Sequence, residues 1–469
     1  MTFNSEDKAN IITFVAIQER PEIGPDHAMQ TTTNSDRFTH IHVDLNSFFA
    51  SVEQQLHVEY RGKPVAVVPT SADTTCAIAA SYEAKELGIS TGTRVSDMKR
   101  ICPGIILVEG DHTVYSKYSE EISKAIEGVC PVAHNPSIDE VACQLMGREQ
   151  EPPRARRIAL DIKQAIRDKV GDTLRCSIGM APNRYLAKIA SDMQKPDGLI
   201  GLLPSQLPRS IAHLDLRALP GVGARTEQML HRKGITTMEQ LLALDRNGMH
   251  NLWNSVWGDR LFHWLRGHDT GDDGAPVPSS DMQKSLGHSH VLAPEHRTAE
   301  GSWAVAHKLL HKAAMRLRME KICTASLSLT IRYAITRQQA ESQPKARQHF
   351  SGLNHSGWGM EARFPTCNDT LTLLEALGAI WKQQPTGPLY QRPFFVGIAF
   401  GRLINESEQQ PTLFADPTNR NQLSSTMDKL NLKYGHTTLH FAGMLPARDS
   451  APTRIAFTQI PVLYGVDYM

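Results

Sequence analysis

Between Thr39 and about Pro204 the chain alternates short apolar runs with longer runs of helical period, and this limits the fold more than any other feature. KPVAVVP reads as a buried strand, SYEAKELGI as a helix, RARRIALDIKQAIRDKV as a long amphipathic helix and TLRCSIGMA as a returning strand. A chain that switches between the two periods in this way builds an α/β or α+β core. From Ser205 to about Asp269 the strand signal fades, which predicts a small all-α region. HDTGDDGAPVPSSD (His268–Asp281) is rich in Gly, Pro, Asp and Ser and reads as a linker. A helix over 299–320 and the strands TASLSLTIRYAI and FFVGIAFGRL then predict a second α/β region. NESEQQPTLFADPTNRNQ opens what reads as a flexible tail. Residues 1–36 are polar apart from the strand-like IITFVAI (Ile11–Ile17), which has no evident place.

No apolar run approaches the roughly 18 residues of a membrane span. The N-terminus lacks a secretory signature, so the expectation is a cytoplasmic protein without membrane association. The 7 cysteines are scattered and never spaced as CxxC, which predicts reduced thiols and no zinc module. The net charge of +1 is unevenly spread: residues 281–405 hold 15 Lys/Arg against 8 Asp/Glu, and residues 1–36 hold 6 Asp/Glu against 2 Lys/Arg. That distribution fits either ordinary scatter along a long chain or an anion-binding region in the C-terminal half.

In THIHVDLN, strand alternation places Ile41, Val43 and Leu45 on one face and His42 and Asp44 on the other. Alone, an aspartate at such a strand end is more often a solvated turn residue. NPSIDEVACQL sets Asp139 and Glu140 just before another apolar strand. Adjacent strand residues point to opposite faces, so both reach one site only where the backbone twists or turns. Three carboxylates at two strand ends are what a two-Mg²⁺ phosphoryl-transfer centre needs, because Mg²⁺ prefers hard oxygen ligands. Two such ions roughly 3.5–4 Å apart activate an attacking oxygen and neutralise a leaving pyrophosphate.

HVDLNSFFASVE, SYEAKELGI, PSIDE, SIGMAPNRYLAKIASDMQKPDGL and LPGVGARTEQML stand in the order found in Y-family DNA polymerases, the translesion enzymes. KSLGHSH also resembles that family, and the resemblance covers about residues 38–445. The first half is most similar to the polymerase IV branch. The DLN variant, EAK and LNLKYGHTTLHFAG are similar to UmuC, the catalytic subunit of polymerase V. The resemblance implies an α+β multidomain, right-hand polymerase. Its parts would be an N-terminal extension (1–36), a palm (37–47 and 111–204), fingers (48–110) and a helix-hairpin-helix thumb (205–270). A linker (271–283), an α/β little finger (284–405) and a C-terminal tail (406–469) would follow.

Residue by residue, Asp44, Asp139 and Glu140 match the catalytic, metal-binding carboxylates, with two Mg²⁺ implied, and Leu45 matches a backbone ligand. Asn46 replaces an aspartate common in polymerase IV, at a position outside the acidic ligands. Phe49, beside Phe48 in the nucleotide site, matches the steric gate whose ring clashes with a ribose 2′-hydroxyl. Tyr82 and Lys85 match the fingers pair that meets the incoming triphosphate. Lysine keeps the charge of the more usual arginine there and loses its bidentate fork. Lys195 matches a further triphosphate-binding lysine, and Lys188 lies near the same site. Without the family setting, FF after a strand is core packing and Lys85 and Lys188 are solvated helix surface.

The turn Gly221, Val222 and Gly223 would offer backbone amides and a helix N-terminus to DNA phosphate. Lys284 and Arg332 would add contacts from the little finger. QPTLF follows the sliding-clamp peptide pattern, with Gln410 fixing register while Leu413 and Phe414 fill an apolar pocket. The function implied is Mg²⁺-dependent addition of dNTPs to a primer 3′ end on primer–template DNA, damage-tolerant, of low fidelity and without proofreading. UmuD-like and RecA partners stay open. The alternative is an inactive, DNA- and clamp-binding scaffold of the ImuB kind, which would lack the carboxylates. A nuclease also uses two metals, but SYEAK and QKPDG suit a nucleoside triphosphate.

Overall fold

The computed structural model describes residues 36–69, 71, 73, 75–271, 284–341, 347–348, 354–409, 418–435 and 438–448. The strand-like run at 11–17, nearly all of the expected linker and the clamp peptide Gln410–Phe414 lie outside the described residues.

The first half runs β1 (His40–Leu45), α1 (Phe48–Leu56), β2 (Val65–Val68), β3 (Ala79–Ala80), α2 (Tyr82–Glu86), α3 (Val95–Ile101) and β4 (Ile106–Glu109). It continues with α4 (His112–Glu127), β5 (Val132–Ser137), β6 (Glu140–Gln144), α5 (Pro152–Lys169), β7 (Cys176–Ala181), α6 (Arg184–Met193) and β8 (Leu199–Gly201). Five of these strands form a sheet in the order β5-β6-β1-β7-β8. A second sheet, β3-β2-β4, carries its own small core of Ala66, Val68, Ala84, Ile89, Val95 and Met98.

One face of the five-stranded sheet follows the sequence alternation. Ile41, Val43 and Leu45 pack with Ile122 and Ile126 of α4 and Ile162 and Ile166 of α5. Phe48, Phe49, Ala50 and Val52 join that same core. The packing boundary therefore falls after α1, although the expected fingers begin at residue 48. On the opposite face α6 lies close against β7. A Cβ at Gly179 would meet the Ala187 carbonyl oxygen at 2.0 Å, so only glycine admits this approach. That contact brings Lys188 of α6 over the end of β1.

Residues 205–270 are helical as expected, with α7 (Ala224–Arg232), α8 (Met238–Leu242), α9 (Arg246–Trp253) and α10 (Val256–Trp264) around Leu230, Leu241, Met249 and Trp264. The second α/β region starts with β9 (Ser285–Val291), α11 (Ala299–Met319), β10 (Ile322–Ala334), α12 (Arg337–Glu341), β11 (Arg347–Gln348) and β12 (Asn354–Cys367). It ends with α13 (Thr370–Trp381), β13 (Pro393–Gly401), β14 (Ile404–Asn405) and α14 (Thr418–Tyr434). Its sheet runs β11-β12-β10-β13-β9, and β14 pairs with the start of β10. Leu327, Leu329 and Ile331 of β10 pack against Leu309, Leu310 and Leu317 of α11.

The expectation of a flexible tail from residue 406 is corrected over 418–448. Arg318 of α11 grips Asp428 of α14 through Nε–Oδ2 at 2.6 Å and Nη2–Oδ1 at 2.8 Å. The Thr370 N–H donates to Ser424 Oγ at 3.0 Å, and Met427, Met444 and Ala447 are buried. The buried stripe of α14 contains Ser424 and Asn431, while Leu423, Leu430 and Tyr434 face out. Its polarity thus resembles that of an unfolded segment.

Candidate active site

Asp44 closes β1, and the antiparallel β1–β6 ladder sets it directly opposite Glu140. Asp139 occupies the turn between β5 and β6, where its carbonyl accepts the Leu45 N–H at 2.8 Å. The turn resolves the problem of adjacent carboxylates, because Asp139 is off the strand while Glu140 is on it. The Leu45 side chain is in the core, which leaves only its backbone to the site. Ligand atoms of His42, Asp44 and Glu140 lie within 4.8 Å of one another. Asp139 is outside that group, with its Oδ1 accepting the Ser137 hydroxyl at 2.6 Å.

Two ammonium groups sit on these acids. Lys188 Nζ is 2.7 Å from Asp44 and 2.6 Å from Glu140. Lys195 Nζ is 2.6 Å from Asp44. Asp192 completes the cluster, 3.2 Å from Lys188 and 2.7 Å from Lys195. Burial alone would lower both ammonium groups, but Asp44 and the other carboxylates outweigh it and raise them. Burial would likewise raise Glu140, yet His42 and Lys188 hold it well below the ordinary carboxylate range. Asp139 is pushed up by burial first, with Asp44 and Glu140 adding repulsion.

These residues fit Mg²⁺. The donors Asp44, Asp139 and Glu140 are hard oxygens, and together with Asp192 these carboxylates outnumber the two ammonium groups, Lys188 and Lys195, set among them. His42 is buried, with Nε2 3.7 Å from Glu140 Oε1. Imidazole is a poor Mg²⁺ ligand, so an ion of that kind would be left to the carboxylates, with His42 beside Glu140.

Phe48 and Phe49, at the start of α1, are both buried, with ring centroids 5.6 Å apart. Phe49 stacks on Tyr115 at 4.3 Å, and the Tyr115 hydroxyl donates to Glu53 at 2.5 Å. Lys85 Nζ donates to Ser47 Oγ at 2.7 Å and lies 4.5 Å over the Tyr82 ring. Burial, reinforced by Lys195, lowers the Lys85 ammonium. The structure thus brings Tyr82, Lys85, Lys188 and Lys195 to the carboxylate end of β1. Lys188 and Lys195 are held there by carboxylates, so Lys188 is not the solvated helix surface that it would be without the family setting.

The expected DNA contacts are spread elsewhere. Gly221 has φ 87°, which requires glycine, and Gly223 caps α7. Val222 corrects the expectation for this turn. Its side chain is buried and its N–H donates to the Leu219 carbonyl at 2.9 Å, so it anchors the turn and offers no amide. Lys284 is exposed just before β9. Arg332 of β10 lies over its cross-strand neighbour Phe395 at 4.5 Å. Sequence reasoning missed Asp192, although its spacing to Lys188 and Lys195 was a usable signal. It also missed Lys163, which nothing in a long basic helix distinguishes.

The model of the impB/mucB/samB family matches residues 43–192, and that of the family's C-terminal domain matches residues 283–413. The chain is similar to the DNA polymerase IV of Bacteroides fragilis, 32% identical over 65% of this chain and 82% of that one. It is 29% identical to the DNA polymerase IV of Moorella thermoacetica over 90% of this chain and 97% of that one. Among solved structures, a Y-family DNA polymerase chimera superposes with a TM-score of 0.63 at 22% identity, covering 78% of this chain and 99% of its own. That last likeness speaks for the fold.

Proposed function

The chain belongs to the Y-family of DNA polymerases, and from that membership together with the site we propose how it works as a translesion, template-directed DNA polymerase. The observation that carries the site assignment is the register of Asp44 opposite Glu140 beneath Lys188 and Lys195. Asp44, Asp139, Glu140 and the Leu45 carbonyl would hold two Mg²⁺ ions, which supply Lewis-acid activation of the primer 3′-oxygen and charge neutralisation at pyrophosphate.

The protein's own part is positioning and electrostatics. Lys85, Lys188 and Lys195 offer positive charge to the triphosphate, and Tyr82 packs beside it. Phe49, braced on one face by Tyr115, presents the narrow exposed part of its ring to the sugar and discriminates against a 2′-hydroxyl. Phe48 fills the wall behind it. Gly221, Gly223, Lys284 and Arg332 grip duplex backbone without reading sequence. On this reading the parts are palm, fingers, thumb and little finger, and residues 418–435 and 438–448 would belong with the little finger.

Catalysis is of low fidelity and lacks proofreading, within DNA repair and the SOS response of the cytoplasm. Gln410, Leu413 and Phe414 tether the enzyme to a sliding clamp, and UmuD-like and RecA proteins are candidate regulators. The inactive-scaffold reading loses support because all three carboxylates are present. Primer extension with Mg²⁺ tests the proposal. Wild type is expected to extend a primed template and Asp139→Ala to fail. An inert wild type on undamaged and abasic templates, with clamp supplied, would sink it.

A further inference from the structure

Asn46 stands where the polymerase IV branch carries aspartate, and the ligand set gives it no task. It is buried, and its amide oxygen accepts the Asp197 N–H at 2.7 Å while its amide nitrogen donates to Ser177 Oγ at 3.1 Å. A peptide N–H only donates, so the oxygen must face Asp197 and the amide orientation is fixed. Ser177 Oγ also accepts the Gly198 N–H at 3.1 Å. From the other side, the buried Lys163 ammonium donates to the carbonyls of Cys176 and Asp197 at 2.8 Å each. It also pairs with Asp197 Oδ1 at 2.6 Å.

The segment after α6 is therefore tied to β1, β7 and α5 just beyond Lys195. It needs these ties. Asp197 is held at φ 56°, a left-handed conformation rare outside glycine, and a Cβ at Gly198 would meet the Gln194 carbonyl oxygen at 2.0 Å. Lys195 is two residues before Asp197, and its ammonium is pinned between Asp44 and Asp192.

We propose that Asn46 is a positioning residue for the incoming triphosphate. Through Asp197 and Ser177 it sets where the Lys195 ammonium stands relative to Asp44. This rests on the reading of Lys195 as a triphosphate contact. A neutral amide can accept from one anchor and donate to the other, so it holds the loop without adding a charge beside Asp44, Asp139 and Glu140. An aspartate keeps the acceptor and adds that charge.

The test is single-nucleotide insertion, read as KM and kcat, together with equilibrium binding of dNTP to a complex on a dideoxy-terminated primer. Asn46→Leu is expected to raise KM and weaken dNTP binding about tenfold, with kcat changed by less than about threefold. Asn46→Asp is expected to recover most of that loss. Ser177→Ala, which removes the Gly198 anchor and the acceptor of the Asn46 amide but keeps the Asp197–Asn46 bond, is expected to raise KM about threefold. In a Lys195→Ala background Asn46→Leu is expected to add less than about twofold, because the group it positions is gone.

The proposal is overturned by a fall in kcat at unchanged KM, or by an equal rise in KM with and without Lys195. If Asn46→Leu loses its cooperative melting transition, Ser177→Ala decides, and an unchanged KM there overturns the proposal. An unchanged KM in Lys195→Ala alone removes the reading of Lys195 itself. A raised KM in that variant with Asn46→Leu neutral removes only the role of Asn46.

Discussion

Phe49 is 4% exposed with one ring face stacked on Tyr115, so only a narrow part of it is left to meet a sugar. The proposed gate role needs an immovable ring, and the Tyr115–Glu53 hydrogen bond would supply the stiffness behind it. Phe49→Ala should raise ribonucleotide incorporation about tenfold to a hundredfold, measured as the ratio of kcat/KM for rNTP and dNTP. Unchanged selectivity would remove Phe49 from that role. Tyr115→Phe keeps the stack but strips Glu53 of its donor. Leaving that buried acceptor unpaired should cost about 1–3 kcal/mol, read from denaturant midpoints. The sequence carried Phe49 as half of an FF pair that, taken alone, core packing explains better. Nothing local named Tyr115, because the contact joins residues far apart in the chain.

At the scale of elements, α14 and the segment behind it show how polarity hides structure. The sequence made α11 legible through its length and β10 through its β-branched and apolar run. It made α14 look like tail because the contacts that fold it are an ion pair and two hydrogen-bonding side chains. Arg318→Met would strand Asp428 in a largely buried position, and a loss of about 3 kcal/mol in the unfolding of the C-terminal region is expected. The same region should be acid-sensitive. His307 packs against Trp303, where its ring also meets Gly443, and His311 packs against Phe441. Burial lowers them to about 4 and about 3 respectively. Groups depressed in the folded state contribute stability that is complete above the unfolded value of about 6.5 and lost as pH falls toward about 4. Thermal melts at pH 7.5 and pH 5 should therefore differ, and His307→Leu should flatten the difference. A melt independent of pH across that window would show that these rings do not feel folding.

For the whole molecule, the order of motifs was readable because each is a strand end, a helix start or a turn whose chemistry is local. What the sequence could not show is where those pieces converge. Lys188 reaches Asp44 because Gly179 lets α6 lie flat on β7. Lys195 reaches it because Asn46 and Lys163 tie down the loop beyond it. Both facts need the assembled sheet. The proposed clamp peptide belongs to the same scale, since its effect would be on residence at DNA and not on bond formation. Alanine at Leu413 and Phe414 should abolish clamp-stimulated synthesis while leaving clamp-free extension intact, measured as product length with and without clamp. Equal loss in both conditions would give those two residues a structural role.

The register of Asp44 against Glu140 has one more consequence. Residues directly opposite on antiparallel strands sit about 4.5–5.5 Å apart at Cα, a spacing the backbone ladder imposes whatever the side chains are. The backbone separation of these two acids is therefore a property of the peptide repeat. A substitution at either position can change the reach of a carboxylate or delete it, but it leaves the two attachment points where the ladder puts them.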